Sequence, residues 1–86
     1  MKYIHIYKAD GTYEKREAPT KPTLKQMQEL VGGHIEPVSV EHEGHRRTMV
    51  VNEEGFLMGL GFNLNASQIA HRQLVGDVFI LEGYRL

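Results

Sequence analysis

The chain has 86 residues, a formal net charge of −1 and no cysteine. That length holds one domain, residues 1–86, with room for one core. The absence of cysteine removes disulfide scaffolds, zinc ribbons and thiol nucleophiles, and 10 Lys plus Arg against 11 Asp plus Glu argues against a dedicated binder of duplex nucleic acid.

Residues 2–8 alternate, with Ile4, Ile6 and Lys8 on one face and Tyr3, His5 and Tyr7 on the other, a strand period. Asp10-Gly11 follows as a hairpin signal, and the charged run from Tyr13 to Glu17 suits a returning strand at a sheet edge. Thr23 and Gln26 make a capping box for a helix over residues 23–31, with Leu24, Met27, Leu30 and Val31 on one face and Gly32 as its stop. Ile35, Val38 and Val40 lie in an extended segment that Pro37 marks as an edge or a bulged strand. Residues 41–47 read as a polar connection, residues 48–52 as a strand, residues 52–55 as a turn, and Phe56-Leu57-Met58 as a further extended run. Asn65 is expected to cap a second helix that starts at Ala66 and ends at Gly76. Residues 77–82 form the most apolar strand, placed centrally in the sheet, and residues 83–86 a tail. The expected fold is α+β: a small, mostly antiparallel sheet with two short helices in the order β-β-α-β-β-(β)-α-β.

No apolar run is long enough to span a bilayer, and the alternating N-terminus lacks a secretory core. The expectation is a cytoplasmic protein with no membrane association.

Four runs taken together carry a family pattern: residues 28–38 (Gln-Glu-Leu-Val-Gly-Gly-His-Ile-Glu-Pro-Val), residues 50–55 (Val-Val-Asn-Glu-Glu-Gly), residues 59–63 (Gly-Leu-Gly-Phe-Asn) and residues 75–78 (Val-Gly-Asp-Val). In this order they resemble the domain-of-unknown-function family 3846 of phages and plasmids, over about residues 24–82. The resemblance implies a compact α+β domain carried by mobile elements and working in the host cytoplasm. It supplies no catalytic residues. Gly61-Phe62 departs from the proline pair of many relatives, which bears on the approach to Asn63.

Candidate ligand residues come from three places. The glycine-rich segment at 59–65, with Phe62, Asn63 and Asn65, leads into a helix whose amides can hold an anion; a turn with a helix cap is the plainer reading. Arg46 and Arg47, beside His42 and His45, are the one concentrated positive potential, and paired guanidinium groups suit phosphate oxygens. Asn52 and Glu53, in an Asx-type turn, can hydrogen-bond a base or ribose. Tyr7, with Tyr3, Tyr13, Phe56, Phe62 and Phe79, offers rings for stacking. His42 and His45 stand at His-x-x-His spacing, but no further ligands are signalled, so no metal is expected. No activated nucleophile is legible, and no cofactor is implied.

These observations favour a non-enzymatic binding protein that sequesters a nucleotide-type immune signal, such as a cyclic dinucleotide or an ADP-ribose derivative, against host defence. A domain this small encloses little, so the ligand is expected where copies of a homo-oligomer meet, with phosphates on Arg46, Arg47 and the amides of residues 63–65. Two alternatives stay open: a protein-interaction module that blocks a host protein, and a small phosphodiesterase-like enzyme acting through His42, His45, Glu53 or Glu54.

Overall fold

The computed structural model describes residues 1–85. Seven elements follow one another: β1 (Tyr3–Tyr7), β2 (Tyr13–Glu17), α1 (Leu24–Val31), β3 (Ile35–His42), β4 (His45–Asn52), α2 (Leu64–Ala70) and β5 (Val78–Glu82). The strands form one sheet in the order β2-β1-β5-β4-β3, with every neighbouring pair antiparallel. This is the expected α+β fold. The apolar β5 is the central strand, and the charged β2 and the proline-bearing β3 are the two edges.

Alternation along the strands splits the core into two layers. On one face Ile4, Ile6, Val50, Phe79 and Leu81 pack against Met27 and Val31 of α1. On the other, Val40, Met49, Val51, Val78 and Ile80 pack against Ala66 of α2 and Leu74. Phe79 is therefore a core side chain and has no surface for stacking. The α1 capping box forms as expected, with Gln26 N–H donating to Thr23 Oγ1 at 3.1 Å and Thr23 N–H to Gln26 Oε1 at 2.9 Å. Gly32 ends the helix at φ 80°. Leu24, expected on the core face, lies at the first helical position and is exposed.

Three local expectations are corrected. The polar connection at 41–47 is strand on both sides of a two-residue turn, Glu43 at φ 53° and Gly44 at φ 80°. Positive φ at both central positions matches the twist of the flanking strands. Residues 56–58 are not a strand: β4 already has β3 and β5 as neighbours, so no edge is left beside it. The segment instead coils into turns, with Met58 N–H donating to the Glu54 carbonyl at 2.9 Å. The cap of α2 is Asn63, not Asn65, and the helix stops at His71 in a left-handed conformation. Ser67 Oγ then accepts from Leu74 N–H at 2.8 Å and turns the chain back, so Leu74 and Val75 are buried outside any helix. Of the expected tail, residues 83–85 are described and Leu86 lies outside the described residues.

One long-range feature positions everything that follows. The β4–β5 ladder ends where Thr48 faces Leu81, although β4 continues back to His45. His42, at the end of β3, nonetheless touches β1: its Nε2 is 2.8 Å from Tyr7 Oη, and its ring centroid is 4.7 Å from that of His5. β3 and β1 lie three strand spacings apart, about 14 Å across a flat sheet. The tip of the β3–β4 hairpin must therefore curl over the face that carries His5, and in doing so it opens a fork between β4 and β5.

Candidate functional site

The curl creates two adjoining features: a buried polar network beneath the hairpin and a groove in the fork.

In the network, His5 is fully buried on β1. Its Nε2 lies 2.7 Å from Glu82 Oε1 and its Nδ1 2.8 Å from Tyr13 Oη. An ionised carboxylate only accepts, so His5 Nε2 carries a hydrogen and donates to Glu82, while Nδ1 shares a hydrogen bond with the Tyr13 hydroxyl. The hydrogen bond from His5 holds the Glu82 carboxyl below the usual range. His42 is fixed in the opposite sense. Arg47 Nη1 lies 2.8 Å from His42 Nδ1 and 2.9 Å from Glu43 Oε1. A guanidinium only donates, so His42 Nδ1 is bare and its Nε2–H donates to Tyr7 Oη. Burial, and the neighbouring His5, push the His42 pKa down. Burial, and then Tyr13, push the Tyr7 phenol up. Arg47 Nη2 reaches to within 3.6 Å of Glu82 Oε1, joining the two halves.

The donor atoms of His5, His42 and Glu43 lie within 4.8 Å of one another, a spacing a metal ion can use. Arg47 already bonds two of the three, so the chain's own cation takes that position. His45, the other half of the His-x-x-His pair, faces His42 across the hairpin and is exposed.

The groove in the fork measures about 700 Å³ and is lined by Ser39, Arg46, Thr48, Leu81, Tyr84 and Arg85, with the Arg47–Glu82 contact at its edge. Alternation puts Arg46 on the face opposite Arg47, beside Thr48. Arg46 makes no ion pair among the described residues, although Glu41 stands opposite it in register. Leu81 is buried beneath the groove, and the half-buried Tyr84 ring is its apolar surface. Lys2 Nζ lies 5.1 Å from the Tyr84 ring centroid, and the Tyr84 hydroxyl donates to the Ala18 carbonyl. Lys21 donates to the Arg85 carbonyl at 2.7 Å. Arg46, Arg85, Lys2 and Lys21 thus gather at one end of the sheet and outnumber Glu82 at the groove's edge, which makes this groove electropositive.

The remaining candidates serve the fold. Asn63 is 1% exposed: its Nδ2 donates to the Tyr7 and Gly76 carbonyls at 2.9 and 2.8 Å, and its Oδ1 accepts from Ala66 N–H at 3.0 Å. Asn52 Nδ2 donates to the Val31 carbonyl at 3.1 Å and its Oδ1 accepts from Glu54 N–H at 2.8 Å. Glu53 is exposed beside it and its amide bonds the His34 carbonyl. Phe62 is half exposed and its backbone bridges to Val75. Asn65 sits one residue into α2, half-buried.

The glycine loop borders a different cavity, about 290 Å³, with Glu29, Gly61, Gly76 and Asp77 among its lining. Two carboxylates and no basic side chain make that a poor phosphate site, and the α2 amides are already capped by Asn63. No described pocket holds both the arginines and residues 63–65, so the single site expected from the sequence separates into an arginine groove and a structural cap. His5, Glu43, Glu82, Tyr84 and Arg85 were not among the expected site residues, and Tyr13, expected as a stacking ring, instead bonds His5 through its hydroxyl. The signal available for His5 was a titratable side chain at the centre of an otherwise apolar strand.

The chain matches no curated protein and no solved structure in the comparisons made. The family model described as Domain of unknown function (DUF3846) matches residues 1–85, and the chain belongs to that family.

Proposed function

We propose that this domain is a non-enzymatic binding protein for a small phosphate-bearing ligand of the nucleotide type, which it sequesters, and that the ligand seats in the β4–β5 fork. The observation that carries this reading is the electropositive groove of about 700 Å³. Arg46 and Arg85 supply guanidinium donors for phosphate oxygens. Ser39 and Thr48 supply hydroxyls for a sugar or phosphate, and the Tyr84 ring supplies apolar surface for a base. The groove is open on one side, and a second copy of the chain closing it suits a host-cytoplasmic, homo-oligomeric sequestering protein from a mobile element.

A thermal-shift panel of cyclic dinucleotides and ADP-ribose derivatives tests this. A ligand at a hundredfold excess over its Kd adds about 2.7 kcal/mol, a rise on the order of 10–20 °C in a domain of this size. Arg46→Ala removes the rise and leaves the unliganded Tm unchanged. No rise with any member of the panel overturns the reading.

A second reading, a module that docks on a host protein, is favoured by one observation. Phe56, Leu57 and Met58 stand exposed at the turn after β4, Leu57 at 87%.

A further inference from the structure

His42 is held neutral by a contact that cannot survive its protonation. Arg47 donates to His42 Nδ1, the one ring nitrogen that would receive the second proton, because Nε2–H is committed to Tyr7 Oη. Protonation there sets two donors and two positive charges 2.8 Å apart. Arg47 must give up this bond. Its other partners are Glu43 on the turn, at 2.9 Å, and Glu82 at the end of β5, at 3.6 Å.

Arg47 is also a wall of the fork groove. With 11% of its side chain exposed, it lies between the buried network and the ligand side. We propose that His42 is a proton-operated gate on the fork groove: when it is protonated, Arg47 is released from the buried network towards the groove, and the groove binds a phosphate-type dianion more tightly. The proposal rests on the reading of the groove as the anion site and adds its regulation.

The groups around His42 set the sense of the response. From β1 come His5 and Tyr7, from the turn Glu43, from β4 Arg47 and His45, which also lines the groove, and from β5 Glu82. Burial, His5 and Arg47 oppose the charged ring, whereas Glu43 and Glu82 favour it. The sum lies on the side of the neutral ring, so the gate is shut near neutrality and operates as the medium becomes acidic. Once charged, the ring has Glu43 within reach, its carboxylate 4.0 Å from His42 Nδ1, so the pair Arg47–Glu43 can exchange for His42–Glu43. Opening adds a positive charge next to the groove and frees a guanidinium whose donors were spent inside the protein. One added charge within about 10 Å of a bound dianion, at an effective dielectric of about 20, is enough for tenfold or more in affinity.

Sulfate is the probe, because its charge does not change over the range. Its affinity is measured by NMR titration between about pH 8 and about pH 5 for the wild type, His42→Gln and Arg46→Ala, and the imidazole nitrogens are followed in the same samples. Glutamine keeps a neutral acceptor for Arg47 and cannot charge. The wild type is expected to bind about tenfold more tightly at the acid end, with the gain following the His42 titration, and His42→Gln to bind as the wild type does at the alkaline end without the gain. Equal gains in both proteins, or none in either, overturn the gate and leave the groove standing. Arg46-independent binding, or no binding at any pH, overturns the groove reading and the gate with it. A His42 ring carrying its proton on Nδ1 at the alkaline end overturns the gate alone.

Discussion

Asn63 offers the sharpest test of where structure ends and site begins in this chain. The sequence places it in a glycine-rich ligand loop, whereas the structure uses all three of its polar hydrogen-bonding contacts internally. Its amide donates to the carbonyls of Tyr7 and Gly76 and its oxygen accepts from Ala66 N–H, with 1% of the residue exposed. Asn63→Ala removes a helix cap, worth about 1 kcal/mol, and strips a partner from two carbonyls, at about 0.5–1.5 kcal/mol each. The expected loss is about 2–4 kcal/mol, a fall in Tm on the order of 10–20 °C, read by urea denaturation with an unchanged slope. Asn63→Asp separates the two roles. It keeps the oxygen for Ala66 but sets carboxylate oxygen against two carbonyls, so it is expected to cost at least as much as alanine. A loss below about 0.5 kcal/mol for Asn63→Ala would refute the reasoning and return Asn63 to the list of ligand residues.

Gly76 has φ 80°, and a Cβ there would meet Leu60 Cδ1 at 2.7 Å; Gly76→Ala is expected to cost about 1–2 kcal/mol by the same denaturation assay, and a neutral result would contradict the left-handed backbone. Glu82→Gln weakens the charge-assisted bond to the buried His5 and is expected to cost about 1–3 kcal/mol at neutral pH. Acid stability should fall in two windows. The His42 pKa is lowered on folding, so its contribution is complete above its unfolded value of about 6.5 and is lost as pH falls from there through the folded value. The Glu82 pKa is also lowered, so its contribution is complete above about 4.3 and is lost below that. His42→Gln flattens the upper window and Glu82→Gln the lower, as measured by urea denaturation across pH. Leu57→Asp, at an 87% exposed position, leaves stability within about 0.5 kcal/mol.

The parts legible in the sequence are those that local rules determine. Alternation in β1 placed Ile4 and Ile6 opposite Tyr3, His5 and Tyr7, and the structure has the same two faces. The Thr23–Gln26 box and Gly32 bounded α1 because capping is settled within a few residues. The hairpin tip was obscured by its own charges: Glu41 to Arg47 looks like a solvated loop, yet the alternation of Val38, Val40 and His42 continues across Glu43-Gly44 into Arg47, Met49 and Val51. Asn63 and Asn65 are equivalent as local caps. What separates them is the carbonyls of Tyr7 and Gly76, which only the folded chain brings to Asn63. The network joins positions 5, 13, 42, 47 and 82, and no spacing rule connects residues so far apart. The groove depends on where the β4–β5 ladder stops, a property of register and curl. Arg46 and Arg47 were recognisable as a pair, but their opposite fates, one exposed in the groove and one in the buried network, follow from strand alternation once the hairpin is known.

Chemical-shift mapping of the amides during titration with the panel member that gives the largest thermal shift tests the fork site most directly. The largest changes are expected on Ser39, Arg46, Thr48, Tyr84 and Arg85 and are expected to vanish in Arg46→Ala. Changes centred on residues 59–65, with the fork unmoved, would contradict it.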